Sequence, residues 1–535
     1  MFTFSLPALA ALGDVAPDFV HYANGGVLST AVQPDGKIII AGDFGTVEYV
    51  NRNGIARVYA EGGLDPTFNP IPNAPVIRTA VQADGKIVIA GGFSTVGGVP
   101  RKSLARLNAD GSLDTGFDPF VDGYVYSMMI QADGKIVIGT EIQLPFQNAT
   151  YSLVRLNADG TLDISFNPNP DRSVRSMTVQ ADGKFIIGGS FTTVDGTARS
   201  RVARLNADGT LDPGFDPDAE GTVLCTAVQA DGKILHGGGF TTVGGVPRNC
   251  LARVNADGTL DTGFNPDPNS LIWSIGVQTD GKIIIGGYFA AVQGTARNGI
   301  ARLNPDGTLD LGFNPNLLVQ QSGTLNRWVS STTVQANGMI VIGGFFIAVG
   351  ETLRTNIARL YNNRATQRLA VTSTSRVEWL RGGTSPEAHH VTFELSTDGG
   401  TNWTSLGTGT RIPGGWELSG LSLPVTGKVR ARARVTSGEC NGSSGLVETV
   451  TAYSLASVSS PRLTAVKALG NGAFQFGFTN LSGGPFTALA TTNLSLPSSN
   501  WIALGLATEI SPGQFQFTDT AATNLPYRFY QIRSP

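Results

Sequence analysis

Hydrophobic and polar residues along the first two thirds of the chain follow one pattern that returns at a fixed interval. In each copy a polar turn such as Gln-Ala-Asp-Gly-Lys, residues 82–86, leads into an apolar run such as residues 87–89. The turn aspartates lie 49 residues apart in six copies, and Asn337 takes the place of aspartate in a seventh. These aspartates are Asp35, Asp84, Asp133, Asp182, Asp231 and Asp280. A fixed period of this kind indicates a repeat architecture in which each copy forms one supersecondary unit.

Each copy of the pattern predicts four short strands. In the second copy they cover residues 77–82, 86–90, 104–108 and 113–117. The second strand is apolar on both faces, which is typical of a strand that lies between two neighbouring sheets. Four strands in about 45 residues is the period of a β-propeller blade. We therefore predict an all-β protein with a seven-bladed β-propeller over residues 1–361.

The turn between the third and fourth strands predicts a repeated ion pair. Its sequence at residues 108–112, Asn-Ala-Asp-Gly-Ser, fits a three-residue hairpin that places Arg106 directly across from Asp114. A ring of cations that binds an anion is one interpretation of the repeated arginines. Equal spacing in every blade favours structural ion pairs instead, because functional sites are usually built asymmetrically. The predicted pairs are Arg57 with Asp65, Arg106 with Asp114, Arg155 with Asp163, Arg204 with Asp212, Arg253 with Asp261 and Arg302 with Asp310.

The two ends of the repeat region complement each other. The seventh copy stops after Leu360 without its fourth strand, and residues 13–19 carry the pattern of the missing strand. Phe19 precedes Asp35 by the same 16 residues that separate Phe215 from Asp231. We predict that this N-terminal segment pairs as the outer strand of blade seven and closes the propeller. Closure removes exposed sheet edges, which otherwise promote aggregation.

The repeated motif also carries a family resemblance. Val-Gln-Ala-Asp-Gly-Lys-Ile-x-Ile-Gly-Gly-Phe followed by Ala-Arg-Leu-Asn-Ala-Asp-Gly-Thr-Leu-Asp-x-x-Phe resembles the delta-60 repeat of bacterial secreted or surface-associated proteins, over residues 12–361. The resemblance implies a β-propeller at an extracellular or outer-cell-surface location, and it supplies no catalytic residues. The third copy departs from the motif at residues 140–145, where Thr-Glu-Ile-Gln-Leu-Pro predicts a bulge in blade three.

Beyond the repeats, serine, threonine and glycine dominate the chain. Alternating strands over residues 366–453 predict a small β-sandwich of immunoglobulin or fibronectin type, and residues 454–535 predict a second small β-sandwich-like module. The aromatic ending at residues 527–533 favours a strand that completes the last sheet, with a secretion or attachment tail as the alternative. Residues 2–12 are apolar without the lysine or arginine that opens a secretory signal. They fit either an incomplete signal or a short buried segment.

Composition and motifs exclude several classes of protein. A net charge of −3 over 535 residues predicts no general attraction to nucleic acid or anionic membranes. No run approaches the ~20 apolar residues of a membrane-spanning helix. None of the four histidines stands in metal-ligand spacing. His236 occupies a position that holds isoleucine in other blades, which predicts that its side chain is buried. No nucleophile elbow, phosphate loop or Cys-x-x-Cys pair occurs. We therefore predict no catalytic residues, no metal and no cofactor.

The candidate ligand contacts lie on one face of the propeller. All Asp-Gly turns share a face, which we call the Asp-Gly face, so the longer and more variable connections lie on the opposite face. Variable loops on a rigid scaffold commonly carry binding groups. The inner strands start at this opposite face with Tyr126, Arg175 and Trp273 in three blades, and these are our candidate contacts. Packing between blades is the alternative role for such aromatic residues.

These observations predict a non-enzymatic secreted or cell-surface protein that binds protein or glycan, as an adhesion or scaffold protein. Its partner is expected on the cell surface or in the matrix. The alternative is a polysaccharide hydrolase or lyase with its site at the central channel. Glycoside hydrolysis needs two carboxylates ~5–9.5 Å apart, whereas acidic residues outside the repeat pattern, such as Asp171 and Glu220, are scattered over different loops.

Overall fold

The computed structural model describes residues 11–119, 121, 123–143, 150–318, 328–455, 463–470, 472–480, 485–522 and 528–533. Residues 1–453 form one compact unit and residues 454–535 form a second. The chain is all-β: in the part described here, the helical segments are two single 3-10 turns, Glu439–Asn441 and Ser498–Asn500.

Seven three-stranded antiparallel units correspond to the seven sequence copies, and the unit of blade two continues into the following module through a parallel bridge between Ala80 and Ser444. The inner strands are Gly26–Val32, Val76–Val81, Gly123–Ile130, Val174–Val179, Thr222–Val228, Ile272–Val277 and Trp328–Val334. The second strands are Ile38–Asp43, Ile87–Gly91, Ile136–Gln143, Phe185–Gly189, Ile234–Gly239, Ile283–Gly287 and Ile340–Phe345. The third strands are Ile55–Val58, Leu104–Leu107, Thr150–Leu156, Val202–Leu205, Leu251–Val254, Ile300–Leu303 and Ile357–Leu360. The second strands are buried on both sides because each lies between neighbouring sheets.

The predicted fourth strand is shorter than the sequence pattern suggests. In blade two it is a single bridge between Leu107 and Leu113, after which the chain turns at Asp114. The Asp114 carboxylate accepts a hydrogen bond from the Gly116 amide at 3.2 Å, and the Phe117 amide donates to the Asp114 carbonyl, also at 3.2 Å. This turn places the Phe117 ring 4.3 Å from the Arg106 guanidinium. The strand therefore ends because its aspartate caps a turn.

Two-residue strands form small hairpins after the second strands, on the opposite face. They are Thr46–Val47 with Val50–Asn51, Thr95–Val96 with Val99–Pro100, Thr193–Val194 with Thr197–Ala198, Thr242–Val243 with Val246–Pro247, Ala291–Val292 with Thr295–Ala296, and Ala348–Val349 with Thr352–Leu353. Leu317–Leu318 adds a third strand to the last of these. In blade three the second and third strands are longer, and their register shifts between Gly139 and Ile142, as the altered motif predicts.

The N-terminal segment joins blade one to blade seven. Val15 bridges Leu360 in the antiparallel sense, and the Ala16 amide donates to the Arg359 carbonyl at 2.7 Å. The Phe19 ring lies 4.9 Å from the Arg359 guanidinium, in the place that Phe117 takes beneath Arg106 in blade two. These are the contacts that the spacing of Phe19 predicts.

The repeated arginine links its own blade to the next one. Arg106 Nε donates to the Asp114 carboxylate at 2.7 Å, and its Nη1 donates to the Ala158 carbonyl in the following blade at 2.6 Å. Arg359, whose blade lacks the aspartate, donates to the Ala60 carbonyl of blade one at 2.6 Å. All six Arg–Asp pairs have distances of 2.7 to 2.8 Å. The arginine ring is thus a set of links between blades.

Hydrogen bonds keep the paired carboxylates ionised to low pH. Burial alone would raise the pKa of Asp65, but hydrogen bonds from Thr67 and Arg57 lower it to about 2. A hydrogen bond from Lys86 lowers the pKa of Asp114 to about 2 as well. Each carboxylate therefore favours the folded state only while it is deprotonated.

We expect thermal stability to fall steeply as the pH drops from about 4 to about 2. Unfolded aspartates have a pKa of ~3.9, so between these values the unfolded chain binds protons that the folded chain does not. The stability contributed by these groups is complete above the unfolded pKa and is lost as the pH falls through the folded pKa. Calorimetric scans from pH 2 to 6 measure it, and Asp114→Asn should show a shallower slope. An unchanged slope in this variant would contradict the assignment.

His236 is buried in blade five, as the isoleucines at the equivalent position of other blades predict. Its side chain is fully buried, and neither ring nitrogen has a hydrogen-bond partner among the described residues. Burial lowers the pKa of His236 to about 3, so the ring is neutral in the folded protein. The equivalent residues are Ile89 in blade two and Ile285 in blade six.

The variant His236→Ile is expected to be more stable than the natural chain by about 1–2 kcal/mol, because it removes two unsatisfied buried polar atoms. The gain should increase below pH ~6.5, where unfolded histidine gains a proton that the folded ring does not bind. Denaturant titrations at pH 7 and pH 5 measure both effects. Loss of stability in His236→Ile would show that the imidazole makes a favourable interaction.

The module that follows the propeller consists of two sheets around one core. One sheet contains Ala365–Ser373, Arg376–Gly383, Gly415–Ser419 and Thr410–Ile412, and the other contains Ser443–Ser454, Thr426–Ser437, Val391–Ser396 and Thr404–Thr408. Trp379 from the first sheet and Phe393 from the second are fully buried in the shared core. Two of the strands, Thr426–Ser437 and Ser443–Ser454, are 12 residues long and extend beyond this core.

The second compact unit also contains two sheets. The larger comprises Leu463–Ala468, Phe474–Thr479, Gln514–Asp519 and Thr508–Ser511, and the smaller comprises Ile502–Leu506, Thr487–Thr491 and Phe529–Arg533. Phe476 and Phe515 are buried in its core. Phe529–Arg533 pairs with Thr487–Thr491, so the aromatic ending completes a sheet, as the strand interpretation predicts.

Candidate functional site

The central channel of the propeller is occupied by a hairpin from the following module. The hairpin tip, residues 438–442, connects the two 12-residue strands. Asn441 at this tip is 2 % exposed, and its Nδ2 donates to the Thr226 carbonyl at 3.0 Å and to the Ile275 carbonyl at 2.9 Å. The Ile275 amide donates back to Asn441 Oδ1 at 3.0 Å. One side chain thus satisfies three backbone groups on blades five and six.

Further contacts attach the hairpin to blades one, two and three. Ser443 Oγ lies 2.8 Å from Ser29 Oγ and accepts a hydrogen bond from the Thr79 amide at 3.1 Å. The Met128 amide donates to the Gly442 carbonyl at 3.0 Å. A Cβ atom added at Gly442 would lie 2.6 Å from the side chain of a neighbouring arginine, so the close fit requires glycine.

The hairpin enters the channel from the Asp-Gly face. Along its first strand, Arg432 Nη1 donates to the Ala83 carbonyl at 2.7 Å, and Arg434 Nη1 donates to the Val81 carbonyl at 2.9 Å. Both acceptors lie at or next to the Asp-Gly turn of blade two. Nearer the opposite face, Glu439 forms an ion pair of 3.2 Å with Arg78. The hairpin therefore extends from the Asp-Gly face into the channel, with its tip nearer the opposite face.

The predicted contact residues Tyr126, Arg175 and Trp273 all stand at β-bulges where the inner strands start. The register shifts on either side of each of them, which leaves that residue without a pairing partner. Leu28, Ile77, Leu224 and Ser330 hold the same position in the other four blades. A bulge re-aims the extra side chain. Ile77 and Ser330 are buried at this position, whereas the side chains of the other five blades are partly exposed.

The structure brings two of the three predicted residues together. The Arg175 guanidinium lies 4.2 Å from the centre of the Tyr126 ring, and the Tyr126 hydroxyl donates to Glu141 at 3.1 Å. Tyr124, 49 % exposed, packs against Tyr126 at 4.8 Å. Burial and the hydrogen bond to Glu141 raise the pKa of Tyr126. Arg175 Nε is buried without a hydrogen-bond partner among the described residues, so the contact with the Tyr126 ring is the interaction that holds the guanidinium.

Trp273 belongs to a separate aromatic cluster at blades six and seven. It packs against Trp328 at 5.0 Å, and Trp328 packs against Phe345 at 4.8 Å and Tyr288 at 6.3 Å. Beside this cluster lies a cavity of about 260 Å³, which we call the aromatic pocket. Its lining includes Tyr288, Trp328, Phe345, Asn269, Ser270 and Asn298. The indole N–H groups of Trp273 and Trp328 have no hydrogen-bond partner in the described structure.

Sequence reasoning missed Trp328, Tyr288 and Phe345. A signal was present in the sequence, at the residue directly before the repeated phenylalanine that follows the second strand. This residue is Asp43, Gly92, Ser190 and Gly239 in blades one, two, four and five, whereas it is Tyr288 and Phe345 in blades six and seven. The longer step before the seventh copy hid the equivalence of these two positions. Aromatic residues confined to two adjacent blades indicate a local site rather than a repeated packing role.

The described residues show no group of three or more His, Cys, Asp or Glu side chains arranged to hold a metal ion. In the same part of the chain, no helix has the length and apolarity that crossing a bilayer requires. The three cysteines, Cys225, Cys250 and Cys440, do not form disulfides.

Comparison with known proteins identifies the repeats. A family model described as "Domain of unknown function (DUF5122) beta-propeller" matches residues 33–68, 82–117, 131–166, 180–215, 229–264, 278–313 and 335–363. No curated protein matches the chain. Among solved structures, a mutant of Salmonella alpha-2-macroglobulin aligns at 9 % identity with a TM-score of 0.11, over 94 % of this chain and 38 % of that one.

Proposed function

We propose that this chain, whose residues 33–363 belong to the DUF5122 β-propeller repeat family, is a non-enzymatic carbohydrate-binding protein that acts outside the cell. The aromatic pocket is the proposed sugar site. Arg175 and Tyr126, at the same face, are proposed as additional contacts to a longer glycan.

The composition of the aromatic pocket carries this proposal. A sugar ring has an apolar C–H face and a rim of hydroxyls, so it needs flat aromatic surfaces beside a few polar groups. Trp328 and Tyr288 offer such surfaces, and amide groups of Asn269 and Asn298 lie in the same lining. Small-molecule sites are commonly concave and mostly apolar, with few convergent polar groups.

The hairpin in the channel favours a binding function over polysaccharide cleavage. The hydrolase or lyase alternative needs a clustered acid and base in the channel. At the level of Thr226 and Ile275 the channel contains the amide of Asn441 instead. The carboxylate of the tip, Glu439, is paired with Arg78.

Glycan-array screening of the full chain tests the proposal. A defined set of glycans should bind without turnover, and Trp328→Ala should weaken binding about tenfold through lost stacking. Trp403→Ala is the matched control, because Trp403 lies beneath Arg430 in the following module, away from the pocket. Absence of any glycan hit, or equal binding by Trp328→Ala, would overturn the proposed site. Release of products from a polysaccharide panel would favour the enzyme.

A further inference from the structure

A second cavity lies between the propeller and the hairpin, on the Asp-Gly face. It has a volume of about 330 Å³, near the lower end of the ~300–1,000 Å³ of small-molecule sites. We call it the methionine cleft, because Met128, Met129 and Met177 line it, three of the five methionines in the chain. Ile130 and Val179 extend this apolar wall.

The methionines are departures from the repeat. Met128 and Met177 pair with Ile138 and Ile187, and the residues at the same register position in blades one, two, five and seven are threonines. Those threonines are Thr30, Thr79, Thr226 and Thr332. Thr30 and Thr226 use their hydroxyls in hydrogen bonds between blades. Blades three and four, which form the wall of the cleft, therefore have a flexible thioether where these other blades have a hydroxyl group. Methionine adapts its shape to varied apolar ligands.

The polar side of the cleft contains an unpaired cation. Arg434 lines the cleft and uses Nη1 to bind the Val81 carbonyl, yet no carboxylate lies within ion-pair distance of it among the described residues. By contrast, the neighbouring Arg432 is paired with Glu448 at 2.6 Å. Burial lowers the pKa of Arg434 to about 10, which leaves it charged at neutral pH. Asp84, in the nearby Asp-Gly turn of blade two, acts on this charge through space but does not pair with it directly. A largely buried cation without a direct ion-pair partner favours an anionic ligand.

Other polar groups around the cleft are neutral or already compensated. Burial lowers the pKa of His389 to about 4, so its ring is an uncharged hydrogen-bonding group at pH 7. Arg155 is paired with Asp163 at 2.8 Å. Asp133, the acidic residue of the lining, remains charged, but it is an exposed turn residue whose carboxylate accepts a hydrogen bond from the Lys135 amide at 3.1 Å, so solvent screens its charge.

We propose that the methionine cleft binds a small amphipathic carboxylate, such as a medium-chain fatty acid. The acyl chain packs against the three methionines, Ile130 and Val179, and the carboxylate pairs with Arg434. This site is independent of the proposed glycan site, because it lies on the other face of the propeller and uses different residues.

Calorimetric titration of the full chain with decanoate, decanol and acetate tests this inference. Decanoate is expected to bind with one site per chain and more tightly than decanol, and acetate is expected to show no binding. Arg434→Gln should weaken decanoate about tenfold or more, the loss of one charged hydrogen bond, and leave decanol unchanged. Arg432→Gln, which changes a paired arginine outside the cleft lining, is the matched control and should bind as the natural chain does.

Two further variants test the apolar wall. Met128→Thr and Met177→Thr restore the residue of the sister blades, so we expect them to fold, and each should weaken decanoate and decanol alike. If Arg434→Gln fails to fold, these two variants and the decanoate–decanol comparison decide the matter. Absence of decanoate binding, binding unchanged by both methionine variants, or equal affinity for decanoate and decanol would overturn the proposal.

Discussion

Replacing Asn441 with alanine should lower the free energy of unfolding by about 3–4 kcal/mol, a large effect for one polar side chain. The substitution removes the three hydrogen bonds that the amide makes with backbone groups of Thr226 and Ile275. Those groups remain buried without a partner, and each unsatisfied buried group costs about 1–3 kcal/mol. The loss concerns the attachment of the hairpin to the channel, because no other side chain replaces the amide.

Denaturant titration and hydrogen exchange at the Ile275 amide measure this effect. The amide should exchange faster in Asn441→Ala than in the natural chain, because its acceptor is gone. Asn255→Ala is the matched control: Asn255 is a partly exposed residue beside a turn, and its side chain makes one hydrogen bond, to Thr259. We expect it to change stability by about 0.5 kcal/mol or less. Equal effects of the two substitutions would show that the tip does not hold the hairpin.

The second large effect is expected at the ion pair of blade one. Asp65 is 1 % exposed and receives hydrogen bonds from Arg57 Nε at 2.8 Å and from the Thr67 hydroxyl at 2.6 Å. Asp65→Ala leaves the Arg57 guanidinium buried without a counterion, which costs about 3–5 kcal/mol in comparable cases. Because the same arginine donates to the Ala109 carbonyl, the contact with blade two is weakened too.

A double variant separates the charge from the packing. Arg57→Met combined with Asp65→Ala removes both ions and should be less damaging than Asp65→Ala alone, because no charge is left unpaired. Asp257→Ala, at an exposed turn aspartate bound to Thr259, should cost about 1 kcal/mol or less. Denaturant midpoints of the natural chain, Arg57→Met, Asp65→Ala, the double variant and the Asp257→Ala control give the comparison. Additive losses in the double variant would contradict the account of a buried, mutually dependent pair.

Features that repeat in the sequence were predictable, because every blade repeats the same turn, the same strand register and the same contacts. The turn at residues 108–112 determines the register, and the register alone places Arg106 across from Asp114. The spacing of Phe19 likewise indicates its contact with Arg359, since an aromatic residue is missing from only one blade. These conclusions depend on contacts between residues of one blade or of adjacent blades.

The hairpin in the channel was not predictable in this way. The tip residues Gly438 to Gly442 have the composition of an ordinary exposed loop, and Asn441 binds backbone groups, which leave no signature in side-chain identity. The contacts join segments that are 166 to 414 positions apart, so no local pattern reports them. The same limitation explains why the pocket around Trp328 was missed, because residues of blades six and seven form it together.

An engineered disulfide between the channel and the hairpin tests the central claim most directly. Ser29 Oγ and Ser443 Oγ lie 2.8 Å apart, so Ser29→Cys combined with Ser443→Cys should form a disulfide on mild oxidation, detected as a linked pair of peptides by mass spectrometry. Ser112→Cys combined with Ser443→Cys places the first thiol in an exposed turn and should remain reduced. A linked peptide in the first protein only is the result we predict. Absence of that link in a folded protein would contradict a propeller whose channel holds the hairpin.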